Sequence, residues 1–284
     1  MRRARRSVED RSLLRGGVDL CRPSDLETME TMTNSRSPVL EIPVDDPATA
    51  RAAASHADRL EVCRDLEAEG LTPSPEFLAE IVAASREEGH RPEIAVVFQE
   101  LPPPEDRRIV GPADFRARPE DLRRLAELAP AFAAAGAGSV VLGFADEDGL
   151  PDEVAVAQAV RIVGQQGLKL AFHRAFDLAD DPAEAARRLE SLGVDRTLAA
   201  GSSGYDASVA TIDQRVERLA VAATAVDPGR FAIVPCGGVR SSNLASFLAV
   251  TPHAHASCRI RPTAFELGRF DGDEAARLRG LVHS

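Results

Sequence analysis

Several acidic and imidazole side chains stand in segments that otherwise read as buried strands. Leu40-Glu41-Ile42 and Leu60-Glu61-Val62-Cys63 each set a glutamate between aliphatic neighbours. Leu170-Ala171-Phe172-His173 ends on a histidine, and His253-Ala254-His255-Ala256-Ser257 puts polar groups at alternate positions. Period-two alternation sends each polar residue to one face of its strand and the aliphatics to the other. If the aliphatics meet a layer of helices, then Glu41, Glu61, His173, His255 and Ser257 project into a shared interior. An ionised group buried there must be paired, hydrogen-bonded or metal-bound, because burying it alone costs several kcal/mol. Carboxylates and imidazoles gathered in this way transfer protons or hold a metal ion. Any single one also serves as half of a structural Glu–Arg or Glu–His pair.

The loops after these strands add further groups. Arg174-Ala175-Phe176-Asp177 follows His173, so an acid and a cation stand beside a candidate proton shuttle, with Asp177 as the carboxylate that would steady it. The same four residues also read as a plain surface ion pair. Gly201-Ser202-Ser203-Gly204 and Cys236-Gly237-Gly238-Val239-Arg240 are turns of the kind that expose backbone N–H groups. The second runs into Ser241-Ser242-Asn243 at a helix start, where an anion such as phosphate can be held. Arg174, Ser202, Gly237, Gly238, Arg240 and Ser257 are therefore the candidate ligand contacts, with Glu41, Glu61, His173, Asp177 and His255 as the candidate catalytic set. Gly pairs also occur simply because the chain turns.

The elements that must position these groups follow one rhythm. Apolar, β-branched runs at Val39–Val44, Arg59–Cys63, Ile94–Gln99, Ser139–Phe144, Leu168–His173, Asp195–Gly201, Phe231–Val239 and His253–Ile260 alternate with Ala-, Leu-, Glu- and Arg-rich stretches. In Pro119 to Ala135, Leu122, Leu125, Leu128 and Phe132 recur at helical spacing. Pro182 to Leu192 is opened by Asp181 as N-cap, with proline in the first turn. Eight strand–helix units imply parallel strands joined by crossovers, either a closed barrel or an open doubly wound sheet. The count of eight, and Pro43-Val44-Asp45-Asp46 in place of a G-x-G-x-x-G turn after the first strand, favour the (β/α)₈ TIM barrel. Pro102–Pro104 mark a long loop after the third strand, a lid or rim.

Bulk properties exclude other classes. The chain of 284 residues is 44% hydrophobic but only 4% aromatic, with no Trp and one Tyr, so stacking platforms for nucleic acid are missing. A formal charge of −11 repels phosphate backbones. No stretch approaches the ~18 apolar residues of a membrane span. Arg2, Arg3, Arg5 and Arg6 crowd an N-terminal segment, residues 1–37, whose composition suits a disordered extension or a start codon called too early, with the folded domain at 38–284. Cys21, Cys63, Cys236 and Cys258 form no C-x-x-C pair, which points to reduced thiols in a cytoplasmic protein. Lys169, the sole lysine, begins the fifth strand, at the wrong end for a Schiff base.

Together these segments resemble the CutC family, named for copper homeostasis, over roughly residues 38 to 283. The resemblance rests on Leu60-Glu61-Val62-Cys63 with Gly70-Leu71-Thr72-Pro73-Ser74, on Phe172-His173-Arg174-Ala175-Phe176-Asp177, and on Val141-Leu142-Gly143-Phe144 with Asp148-Gly149 and Asp152. Gly237-Gly238-Val239-Arg240 with Asn243 and His255-Ala256-Ser257 support it. It implies a TIM barrel, a copper-binding role and a homo-oligomer, a dimer. The chain departs from the family pattern where an Arg-Pro-Arg run gives way to Phe98-Gln99-Glu100. Pro43 stands where Cys is common, Glu69 replaces a glycine, Ala199-Ala200 replace Thr-Ser, and Cys236 replaces a glycine. Two functions follow. One is copper binding at the barrel mouth through Cys63, His173 and His255, since Cu(I) prefers thiolates and imidazoles. The other is a lyase, isomerase or hydrolase acting on a small polar or phosphorylated metabolite. There Glu41 or Glu61 would be acid or base, His173 the shuttle, and the Gly237-Gly238 turn an anion cradle.

Overall fold

A computed structural model describes residues 36–260 and 268–284. The segment 1–35, which contains Cys21 and most of the expected extension, lies outside the described residues. Among the described residues eight strands alternate with eight helices. The strands are β1 (Val39–Val44), β2 (Arg59–Val62), β3 (Glu93–Val97), β4 (Ser139–Leu142), β5 (Lys169–Phe172), β6 (Arg196–Ala199), β7 (Ala232–Pro235) and β8 (His253–His255). The helices are α1 (Pro47–Ala53), α2 (Pro75–Ser85), α3 (Pro119–Ala135), α4 (Glu153–Gly164), α5 (Pro182–Ser191), α6 (Ile212–Thr224), α7 (Leu244–Leu248) and α8 (Gly272–Val282).

Every ladder is parallel, in the order β7-β6-β5-β4-β3-β2-β1-β8. This is the (β/α)₈ TIM barrel, nearly closed. Among the described residues no ladder joins β7 to β8, and the Thr251 hydroxyl donates to the Ile233 carbonyl (2.9 Å) at that seam.

Local chemistry starts the helices where the chain needs them. Asp46, Ser74, Asp152, Asp181, Thr211 and Asp271 each cap with a side-chain oxygen that accepts a first-turn N–H. Proline opens α1, α2, α3 and α5, where its missing donor costs nothing. The strands at the seventh and eighth positions are shorter than their apolar runs suggest. Gly237 and Gly238 take left-handed backbone (φ 71° and 83°) just past β7, and Cys258 does so (φ 48°) past β8, so neither run can continue as a strand.

Alternation then sorts the core into two. Leu40, Ile42, Leu60, Val62, Val140 and Phe172 pack outward against the helices. Cys63, Ala95, Val141, Ala171, Val234 and Cys236 form a separate cluster inside the barrel. Those small inner side chains leave room for the charged ones among them.

Candidate functional site

The strand registers fix which inward groups meet. Glu41 on β1 stands level with Arg59 of β2 and with His255 of β8, and Pro43 stands level with Glu61. Glu41 is fully buried, and its carboxylate is fully engaged. One oxygen accepts from Arg59 Nη1 and Arg196 Nη2, both at 3.1 Å, and the other meets His255 Nδ1 at 2.8 Å. Burial alone would raise this carboxyl. The Arg196 guanidinium, the His255 hydrogen bond and Arg59 outweigh it and hold the group well below the usual carboxylate range. An ionised Glu41 makes Nδ1 of His255 the donor, which leaves Nε2 as that ring's free nitrogen.

Glu61 is the opposite case. It is 7% exposed, and its Oε2 is buried with no hydrogen-bond partner. Burial pushes its carboxyl up to about 7. Burial pulls His255 down, but the nearby charges of Glu61 and Glu41 more than offset that and leave it above its ordinary value. One ligand atom from each of Glu41, Glu61 and His255 lies within 4.8 Å of the others, the arrangement a metal ion or a shared proton requires.

The remaining expected site residues lie elsewhere. His173 is not part of this group. Its Nδ1 accepts the Ala175 N–H (3.0 Å), its ring meets Phe115 edge-on with centroids 5.1 Å apart, and burial lowers it to about 4. Its neighbour Asp177 does not steady it. The two Asp177 oxygens accept from the backbone N–H groups of Ala200 and Gly201 (2.9 to 3.0 Å) and pair with Arg174, bracing the β6 exit. Cys63 is fully buried, its thiol directed at the Val44 carbonyl, and burial raises it well above its ordinary value. Hence the cluster is Glu41, Glu61 and His255, not Cys63, His173 and His255.

The candidate ligand contacts are mostly occupied with the barrel's own backbone. The Ser202 hydroxyl donates to the Gly204 carbonyl (2.8 Å), and Arg240 donates to the Arg259 carbonyl (2.8 Å). Gly237 lies where a Cβ would come 3.1 Å from that of Ala200. Its turn leads into α7, and Asn243 returns a hydrogen bond to the Gly238 carbonyl. Ser257 is half-buried beside the β8 exit. Arg174 stacks over Tyr205, 4.4 Å from the ring centroid.

Sequence reasoning missed Arg59 and Arg196. Both occupy inward positions by the same alternation, in Arg59-Leu60-Glu61 and Arg196-Thr197-Leu198, so the signal was present. Positive charge absent at Phe98-Gln99-Glu100 returns to the rim through Arg107 of the same loop, which pairs with Glu69.

His173 also supplies a direct test of packing. A Cβ at Gly143 would fall 2.2 Å from His173 Cε1 and 2.3 Å from Nδ1. Gly143→Ala must therefore expel the ring, at an overpacking cost of about 1–3 kcal/mol. Urea denaturation reads it, and an unchanged midpoint would mean the ring is not confined.

The fold is a TIM barrel whose interior brings Glu41, Glu61 and His255 together from three strands in a group that could hold a metal ion. The chain belongs to the CutC family, whose model matches residues 39–260. It is 34% identical over 225 residues to a family protein CutC of Rhizobium meliloti (strain 1021), covering 77% of this chain and 80% of that one. It is 30% identical to the human copper homeostasis protein cutC homolog, covering 79% of this chain and 74% of that one. A crystal structure of the putative copper homeostasis protein CutC from Streptococcus agalactiae superposes with a TM-score of 0.65 at 24% identity, covering 78% of this chain and 98% of that one. No helix among the described residues is long and apolar enough to cross a membrane.

Proposed function

We propose that this chain serves in copper homeostasis by holding a copper ion inside the barrel through Glu61 and His255, with Glu41 behind them. The observation that carries this reading is the Glu41–Glu61–His255 cluster, in which Glu61 keeps a buried oxygen without a partner. The names of the human and mouse relatives point to copper. The donor chemistry narrows the oxidation state. Carboxylate and imidazole suit divalent copper, whereas monovalent copper prefers thiolates. Cys63 and Cys236 lie outside the cluster, and burial holds both as thiols. An oxygen of Glu61 and a ring nitrogen of His255 would supply two donors to one divalent ion. Glu41, already committed to two guanidiniums, would orient His255 rather than lead the binding.

Titration against a competing chelator tests this. Wild-type protein is expected to bind Cu(II) at one site. Glu61→Gln and His255→Ala should each weaken it at least tenfold, while Cys63→Ser leaves it unchanged. Affinity that ignores both substitutions, or that vanishes with Cys63, sinks the reading.

One observation favours a second reading as an acid–base enzyme, a lyase, isomerase or hydrolase of a small polar metabolite. A carboxyl poised at about 7 beside an imidazole anchored through Nδ1 keeps one proton available near neutral pH. The two readings share residues and divide on the ligand. Stabilisation by metabolites and not by copper would select the enzyme.

A further inference from the structure

Beyond the C-terminal end of β2 the mouth carries a second cluster that neither reading uses. Glu69 sits there in left-handed backbone, φ 67°. That conformation strains a residue with a Cβ, whereas glycine adopts it freely. The side chain of this strained residue meets groups from three other loops. One carboxylate oxygen takes the guanidinium of Arg107, from the long β3–α3 loop. The other lies 3.5 Å from the Tyr205 hydroxyl, after β6, and 3.9 Å from Arg174 Nη1, after β5.

Two of the three groups are built into the mouth, and Arg107 closes the set from the surface, its side chain 43% exposed. The Arg174 side chain is only 12% exposed and Tyr205 only 5%. Arg174 is fixed by stacking on Tyr205, by donating to the Tyr205 carbonyl, and by Asp177. The groups that converge are two guanidiniums, which can only donate, and a phenol whose O–H points at the acid. Such a set recognises an oxyanion. The β3 exit also carries Gln99, whose Nε2 is buried and unpartnered, while its N–H donates to the Thr72 hydroxyl and its carbonyl accepts from the Thr72 N–H.

We propose that Arg107, Arg174 and Tyr205 form a subsite for the carboxylate or phosphate group of a small molecule, and that Glu69 is its built-in occupant. While Glu69 holds the place, it ties the β3–α3 loop across the mouth. Phe115 of the same loop lies against both His173 and Tyr205, with centroids 5.1 and 5.5 Å away. A ligand anion that displaces Glu69 takes over its cations and releases a strained residue, so the exchange loses little and frees the loop. The inference rests on the mouth being the ligand entrance, as proposed above, but not on what Glu61 and His255 hold.

Calorimetric titration of the full chain with inorganic phosphate and, separately, with malonate tests it. Glu69→Gly removes the competing carboxylate and the backbone strain together. It is expected to bind one of the two probes at least tenfold more tightly than wild type, phosphate marking a phosphorylated ligand and malonate a carboxylate one. Glu69→Gln, which keeps the bulk and loses the charge, should shift affinity in the same direction. Adding Arg107→Gln to Glu69→Gly should return most of the gain. The proposal is overturned if both Glu69 variants, folded by circular dichroism, bind neither probe more tightly, or if the gain survives without Arg107. Failure of the copper titration leaves this result standing, since neither Glu61 nor His255 enters it.

Discussion

Glu41→Gln is expected to cost the fold about 3–5 kcal/mol, the range for breaking a buried pair by removing one partner. The loss follows from what the carboxylate neutralises. Arg196 has a side chain only 2% exposed, and beyond Glu41 it reaches, among the described residues, only the Ser139 hydroxyl (3.3 Å) and Asp195 (3.5 Å). Arg59 is nearly as buried, with Glu93 as its other partner. A glutamine at 41 offers one neutral acceptor where two guanidiniums and an imidazole donor converged, and its own N–H groups add to the crowd of donors. The exposed pair Arg51–Glu87, with side chains 41% and 52% accessible, is the internal control. Arg51→Ala should leave the unfolding midpoint almost unchanged, because solvent screens an exposed pair. The two variants compared by urea unfolding at pH 7 decide the matter, and a Glu41→Gln loss no larger than the control would show that the network does not hold the barrel floor.

The pH dependence of that difference has a fixed sign. The folded-state value of Glu41 is depressed, so its contribution is complete above the ordinary 4.5 and is lost as pH falls below it. The share that Glu41's own ionisation adds to that difference should therefore hold steady above pH 5 and fade only in stronger acid.

The barrel was legible because its evidence is local and repeated. Each βα unit carries its own apolar run, six helices carry a capping side chain and four open on proline, and α3 begins and ends at Pro119 and Ala135, as its leucine spacing predicts. Side-chain direction was equally legible, since Glu41, Glu61 and His255 all face inward by counting in twos. Height along the barrel axis was not. The stagger between neighbouring strands sets it, and period-two alternation carries no record of stagger. His173 and Cys63 share the inward direction with Glu61, yet His173 tops β5 in the space left by Gly143, and Cys63 turns its sulfur to the Val44 carbonyl. The inward direction of Arg59 and Arg196 was legible by the same count, but not the height that brings them to Glu41. Only the register that levels Glu41 with Arg59, and the hydrogen bond from Arg196, show that part of the buried charge serves the scaffold.

Glu61→Gln, by contrast, is expected to make the protein more stable at pH 8 while weakening the proposed copper binding. Burial raises the Glu61 carboxyl from 4.5 to about 7, so the native state binds this proton more tightly than the unfolded chain does. The stabilisation is present below pH 4.5, drains away as the pH climbs towards 7, and is gone above it. At about 1.4 kcal/mol for each pH unit between those values, wild type stands to lose roughly 3 kcal/mol across that window. His255 adds to the slope in the same sense. Its raised value means stability that is present below its ordinary 6.5 and lost as pH rises past the folded-state value. Glutamine at 61 is neutral at every pH, fills the same volume, and withdraws the charge that raises His255. The histidines lowered by burial titrate in both proteins, so the difference between the two curves carries the signal: it should swing towards the glutamine variant between pH 4.5 and 7 and favour it before neutrality. A scaffold residue would show the reverse, because removing Glu41 weakens the protein where removing Glu61 strengthens it. Wild-type and Glu61→Gln curves that stay parallel over that range would mean the second acid is solvated or paired, and would leave the axis of the barrel without a group kept at the expense of stability.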